Sequence, residues 1–171
     1  MSSELKLDAY DRRILFELDK NARTTTTAIA KKLKKSKQFV DYRITRLEEQ
    51  RVLTGYVAVI DYARLGYYGI RVYFKFHNIS PEKQEALEND LITDSSVWWL
   101  VTLEGRWDVG YATAVKDPLG FYDYWDSIMH TYRQYIRNRS VVLYTHIRQY
   151  PKAYLVDEKN TYVGTMVGAR Q

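Results

Sequence analysis

The apolar residues of this chain change their period about a third of the way along. Val40, Ile44 and Leu47 fall at i, i+4 and i+7, one stripe of a helix. Ile70, Val72, Phe74 and Phe76 instead alternate with Arg71, Tyr73 and Lys75, the mark of a half-buried strand. A helical module followed by a mixed one is therefore expected within 171 residues, room for one ordinary domain or two small ones. There is no cysteine, which excludes disulfide scaffolds, thiolate zinc sites and cysteine nucleophiles. The longest apolar run is Val97–Val101, too short to span a bilayer, and Met1–Lys6 lacks the apolar stretch of a secretory signal. A cytoplasmic protein without membrane contact is expected.

The charge is uneven. Residues 1 to 55 hold 13 Lys and Arg against 8 Asp and Glu, whereas 56 to 171 hold 13 of each. The whole net charge of +5 thus lies in the first third. Such asymmetry points to a polyanion as the partner of that part. A solvated basic face is the alternative.

Three short helices are expected there. Asp8 is a good N-cap for residues 9 to 20, and Asp11 adds a favourable charge in the first turn. Hydroxyls at Thr24 to Thr27 suit a cap before a helix over 26 to 33. Ser36 caps a third helix. Two helices joined by a short turn, the second amphipathic with long polar side chains outward, fit a helix-turn-helix. Lys37, Gln38 and Tyr42 are the base-edge candidates, since Gln pairs with adenine and Lys reaches guanine. Lys34, Lys35, Arg43 and Arg46 are candidates for phosphate, with Ser36 adding a backbone N–H at the helix start. Asp41 accepts from a cytosine amine or holds a neighbouring Arg. A plain three-helix packing unit with a charged outer face remains the alternative.

The pattern Leu7-Asp8, Asp11, Ile14-Leu15, Leu18, Asn21-Ala22-Arg23, Ile29-Ala30, Leu33, Ser36, Val40, Arg43-Ile44, Leu47-Glu48 and Gly55-Tyr56 resembles the opening of the leucine-responsive/AsnC (feast/famine) family of transcription regulators. Val97, Thr102, Gly105 and Asp108 resemble that family's central G-x-x-D hairpin, and Val115, Asp117 and the stretch Phe121 to Tyr135 resemble the strand end and helix beyond that hairpin. The likeness covers roughly residues 7 to 150. It implies an α+β protein with an N-terminal three-helix helix-turn-helix domain, winged or plain, a β linker and a C-terminal ferredoxin-like domain. It also implies double-stranded DNA as a partner, a homo-oligomer (dimer or octamer), and an amino-acid effector. Lys34 and Arg51 stand where the family usually carries glycine, so each must take positive φ at a cost or the turn must differ.

The remaining elements agree with that order. Tyr56–Ile60 is a β-prone run, with a turn toward Gly66 after it. After the strand at 70 to 76, Ser80-Pro81-Glu82 opens a helix over 81 to 92. Strands are expected at 97 to 103 and 109 to 115, a helix at 118 to 136 and a last strand at 141 to 147. This is the split βαββαβ arrangement. One sheet face is left for a second copy to cover. The expected domains are 1–54 for DNA, 55–66 as linker, 67–156 for dimerisation and effector binding, and 157–171 as tail. Ala153–Val156 suggests an added edge strand.

In the resembled family small effectors bind beside the G-x-x-D hairpin, which carries over to Gly105, Arg106, Trp107 and Asp108. Asp108 would hold an α-ammonium and Arg106 a carboxylate. Trp107 replaces a smaller aromatic and narrows such a pocket. The alternative is a tight hairpin in which Asp108 caps backbone N–H groups. No catalytic residue, metal site or cofactor is expected: His77, His130 and His146 are widely spaced, and no phosphate loop or hydrolase motif occurs. A siroheme-decarboxylase-like enzyme shares the architecture and is an alternative, although the arginine-rich segment of those enzymes is replaced here by Val52-Leu53-Thr54-Gly55-Tyr56. An architectural DNA binder without effector response is another.

Overall fold

The computed structural model describes residues 5–160 and 164–167. The parts of the expected tail at 161–163 and 168–171 lie outside the described residues. The chain forms two compact units, one of residues up to 60 together with those from 148 to 165, the other of 61–147 with the residues after 165.

The first unit begins with α1 (Ala9–Lys20), α2 (Thr26–Leu33) and α3 (Lys37–Glu49). Each starts where a side chain takes up the unpaired N–H groups of a first turn. Asp8 accepts from the N–H groups of Tyr10 and Asp11, both at 2.9 Å, and Asp11 reciprocates toward the Asp8 N–H at 3.3 Å. That is a capping box. Thr25 accepts from Ala28 N–H at 3.2 Å and Ser36 from Phe39 N–H at 3.1 Å. Ile14, Leu18, Ile29, Ala30, Val40 and Leu47 close the three helices into one core. Among the described residues no β-hairpin comes directly after α3.

Arg148 to Asn160 belong to the same unit. The expected edge strand at Ala153–Val156 is instead a 3-10 turn, Ala153–Leu155, packed on α1. Pro151 has no N–H to give a ladder, and local bonds take over: Ala153 N–H donates to Pro151 O at 2.8 Å and Val156 N–H to Ala153 O at 3.1 Å.

The second unit is a four-stranded antiparallel sheet with two helices on one face. Its elements are β1 (Tyr68–Phe76), α4 (Pro81–Thr93), β2 (Val97–Thr102), β3 (Val109–Val115), α5 (Pro118–Tyr132) and β4 (Ile136–Leu143), in the sheet order β2-β3-β1-β4. This is the ferredoxin-like βαββαβ topology expected from the sequence. Ser80 and Asp117 cap the two helices, each with Pro at the first position. In register, Ile70 faces Thr113 and Leu143, Val72 faces Tyr111 and Val141, and Phe74 faces Val109 and Arg139. Val72, Phe74, Val109 and Tyr111 form the buried core with Leu87 and Leu91 of α4 and Phe121, Trp125 and Ile128 of α5.

Two expectations need correction. β4 starts at Ile136, not 141, because α5 gives way to a 3-10 turn at Arg133–Tyr135 and the strand pairs β1 along most of its length. The Tyr56–Ile60 run is not a strand: within this chain no described segment supplies it with a ladder. A 3-10 turn comes after it, Tyr62–Leu65, closed by Gly66 at φ +86°.

Candidate nucleic-acid interface

Helix α3 presents one face to solvent. Lys37, Gln38 and Tyr42 are exposed on it, and Tyr42 keeps 64% of its surface. Asp41 lies beside Lys37, with Nζ and carboxylate 3.4 Å apart one turn along the helix. Thr45 shares this face, its hydroxyl donating to the Asp41 carbonyl at 3.1 Å. Ser36 spends its hydroxyl on the helix cap.

The remaining cations of α3 point elsewhere. Arg43 and Arg46 turn toward α1, where the carboxylate of Asp11 is fully buried. Arg43 Nη1 donates to Asp11 at 3.0 Å and to Asp8 at 2.7 Å, and Arg46 Nη2 reaches Asp11 at 3.4 Å. The reading of both arginines as phosphate ligands therefore meets an arrangement in which their guanidinium groups hold α3 to α1. Lys35 is also engaged: its ammonium sits 4.9 Å from the Tyr10 ring centre and 5.7 Å from that of Phe39. Phe39 meets Tyr10 edge-on at 5.4 Å and carries Arg43 at 5.0 Å. Lys34 is exposed, with φ +54° and ψ +44°. Sequence reasoning finds in Asp8 and Asp11 only helix caps, because their second role depends on α3, more than thirty residues away.

The charges in this unit are mutually arranged. The Asp8 carboxyl is held below its ordinary value by the Asp11 N–H, against a small burial cost, with Arg43 adding to the effect. Burial pushes the Glu17 carboxyl up, but Lys32 and Arg13 outweigh it and leave it low. Glu17 is itself buried, paired with Arg13 from its own helix and Lys32 from α2.

The hairpin after β2 is a second candidate site. Asp108 Oδ1 accepts from Lys75 Nζ at 2.6 Å and Oδ2 from the Phe76 N–H at 2.7 Å. Lys75 also donates to Gly105 O at 3.0 Å, and Gly105 sits at φ +127°. Burial pushes the Asp108 carboxyl up, but Lys75 and the Phe76 N–H outweigh it and hold it low. The carboxylate thus caps backbone and locks the hairpin to β1, the alternative weighed from the sequence. Lys75 is the partner that sequence reasoning missed. Arg106 is exposed and lies 5.4 Å above the Trp107 ring, which stacks on Tyr73 at 5.9 Å. On the sheet face that no helix covers, Arg71 lies between Trp99 and Tyr144, 4.5 and 4.9 Å from their ring centres.

A helix-turn-helix with an exposed second helix, in a chain that also holds a ferredoxin-like unit, defines a class of DNA-binding proteins by its fold. Residues 7–54 match the family model for winged helix-turn-helix DNA-binding domains. The chain is 43% identical over 82 residues to the proline dehydrogenase transcriptional activator of Rhodobacter capsulatus, covering 48% of this chain and 52% of that protein. The match spans about half the length of that relative. The fold is also that of an AsnC family transcriptional regulator from Agrobacterium tumefaciens, with TM-score 0.72 at 20% identity, over 85% of this chain and 95% of the other. A regulator from Neisseria meningitidis, NMB0573 in complex with L-Met, has TM-score 0.73 at 15% identity, over 86% and 95% of the two chains. The chain has the domain order and fold of the leucine-responsive/AsnC regulators, as its residue pattern implied.

Proposed function

We propose that the chain is a sequence-specific DNA-binding transcription regulator that acts as a homodimer or higher oligomer in the cytoplasm. One observation carries this reading: the outward face of α3 offers Lys37, Gln38 and Tyr42 to solvent, in the third of the chain that holds the whole net positive charge. In a dimer, two copies of α3 would enter successive major grooves about 34 Å apart and read a pseudo-palindrome. No helix among the described residues is long and apolar enough to cross a membrane. The names of the relatives are those of regulators, so the decarboxylase alternative gains nothing. The domains would be 1–54 for DNA, 55–66 as linker, 67–156 for dimerisation and effector, and 157–171 as tail.

The test is a selection of bound sites from random duplexes, then titrations at several salt concentrations. Lys37→Ala and Gln38→Ala should relax sequence choice by about 1–3 kcal/mol per lost base contact. An equal loss on selected and random duplex would remove these residues from the reading face. A small effector such as an amino acid is the second part of the proposal, supported by likeness to the L-Met complex. Its site would lie at Gly105, Arg106, Trp107 and Asp108, and binding through Asp108 requires an ammonium to displace Lys75. Calorimetry with the twenty amino acids, on the native chain and Asp108→Ala, checks it.

A further inference from the structure

Four non-glycine residues among those described take positive φ: Lys34 at +54°, Arg51 at +54°, Asn78 at +50° and Asp157 at +53°. Asn and Asp adopt the left-handed region readily, because a short polar side chain bonds locally there. Lys and Arg have no such compensation. The two cations also share a place in the fold. Lys34 comes after α2 and stands two residues before the Ser36 cap of α3, and Arg51 comes after the Gln50 cap at the other end of α3.

Both turns have the same hydrogen-bond pattern. After α2, Lys35 N–H donates to Ala30 O at 3.0 Å and Lys34 N–H to Lys31 O at 3.3 Å. After α3, Val52 N–H donates to Leu47 O at 2.9 Å and Arg51 N–H to Glu48 O at 2.9 Å. Each cation therefore occupies the left-handed position that terminates a helix, where glycine is the favoured residue. Both side chains are exposed, and no packing rewards either residue for its strain. Backbone strain of this kind clusters at functional sites.

We propose that Lys34 and Arg51 are phosphate-contacting residues, kept at a backbone cost at the two ends of α3, where they meet the DNA strands on either side of the groove. Arg51 thereby joins the interface, while Arg43 and Arg46 leave it for Asp11. The inference rests on the DNA-binding reading and extends it to two particular contacts.

The experiment compares the full chain with Lys34→Gly, Arg51→Gly, Lys34→Asn and Arg51→Lys, and with Lys83→Gln as a control in the second unit. Affinity for a random-sequence duplex is measured over a range of potassium chloride, and thermal unfolding alongside. Each Gly variant should melt about 2–4 °C higher, the shift expected when a strained turn relaxes in a chain of this size. Each should also lower the salt slope by about 0.9, so that a tenfold rise in salt costs it about eightfold less affinity than the native chain. Lys34→Asn should lose the same slope, Arg51→Lys should retain it, and Lys83→Gln should leave it unchanged. A variant that gains stability and keeps the native slope overturns the proposal, as does a loss of affinity without a change in slope, which a purely structural role would give. Failure of the Gly variants to gain stability overturns the claimed cost. If the native chain binds no duplex in dilute salt, the DNA-binding reading falls together with this one.

Discussion

The carboxylate of Asp11, fully buried at the start of α1, accepts from Arg43 at 3.0 Å on the helix proposed to read DNA. Arg46 adds a contact at 3.4 Å to the other oxygen. This pairing ties α3 to α1 beside the buried Val40 and Leu47, with Lys37, Gln38 and Tyr42 outward. Asp11→Ala would take from Arg46 its carboxylate and leave Arg43 with Asp8 alone, and the Nε atoms of both are already buried without a partner. Removing one side of a buried ion pair costs about 3–5 kcal/mol. A loss near 3 kcal/mol, at about the lower end of that range, is expected here because Arg46 is partly exposed. Urea unfolding of the variant measures it. A change under about 1 kcal/mol, the worth of an exposed pair, would show that the core, not the ion pair, sets the position of α3.

Segment 148–160 and α1 form a second specific pairing. Arg13, Phe16 and Asp19 are three residues apart along α1 and so share a face. Arg13 pairs with Glu158, and Asp19 accepts from both the N–H and the ammonium of Lys152. Phe16 lies between them, buried yet outside the three-helix core. Phe16→Ala should cost about 3 kcal/mol. Glu158→Ala and Lys152→Ala together remove both ion pairs and should cost less than Phe16→Ala, because the pairs are partly exposed. A loss from the double alanine variant as large as that from Phe16→Ala would show that the ion pairs, not the buried ring, hold the segment.

Legibility in the sequence tracked the range of the interactions concerned. The ends of α1, α2 and α3 were legible because Asp8, Thr25 and Ser36 act within three residues of themselves. The positive φ of Lys34 and Arg51 was one of the two outcomes that the resemblance implied, through the glycine that the family usually carries at each place. The inward turn of Arg43 and Arg46 was not, because on a helical wheel an arginine beside the apolar stripe faces either way until its partner is known. Asp108 is similar: its partner Lys75 lies on another strand, 33 residues earlier. The start of β4 was hidden by Arg137, Asn138 and Arg139, exposed residues on a sheet edge that break the alternation of a half-buried strand. Tyr56–Ile60 misled in the opposite sense, since strand composition supplies no ladder by itself.

Gly69 should be the least tolerant of the described glycines of the second unit. A Cβ there would meet the Tyr62 hydroxyl, and the Tyr144 ring at 2.8 Å. Both rings lie on the sheet face that the helices leave open, so the methyl must push one of them aside. Gly69→Ala is expected to destabilise by about 1–3 kcal/mol. Gly120, in the first turn of α5, has nothing within 4 Å of such a Cβ. Gly120→Ala should instead stabilise by about 0.5–1 kcal/mol. Denaturant midpoints of the two variants must move in opposite directions.

Stability should fall at both extremes of pH, for opposite reasons. Asp8, Glu17 and Asp108 have carboxyls held below their ordinary values of 3.8, 4.5 and 3.8. The folded chain therefore binds fewer protons than the unfolded chain as acid is added, and the stability these groups contribute, complete above about pH 5, is lost as pH falls below 4.5 and through their folded values. Tyr62 and Tyr132 behave in the opposite sense. Burial pushes both hydroxyls up to about 12, with the Tyr144 hydroxyl adding to the effect on Tyr62 and Asp90 on Tyr132. Their contribution is complete below the ordinary value of 10.0 and is lost as pH rises through about 12. Unfolding free energy measured by urea from about pH 3 to 11 should thus be level across the middle of the range and decline at either end. Glu17→Gln should start lower and decline less in acid, and Tyr62→Phe should decline less in alkali. A Glu17→Gln curve parallel to the native one below pH 4.5 would mean that Glu17 carries none of the acid sensitivity.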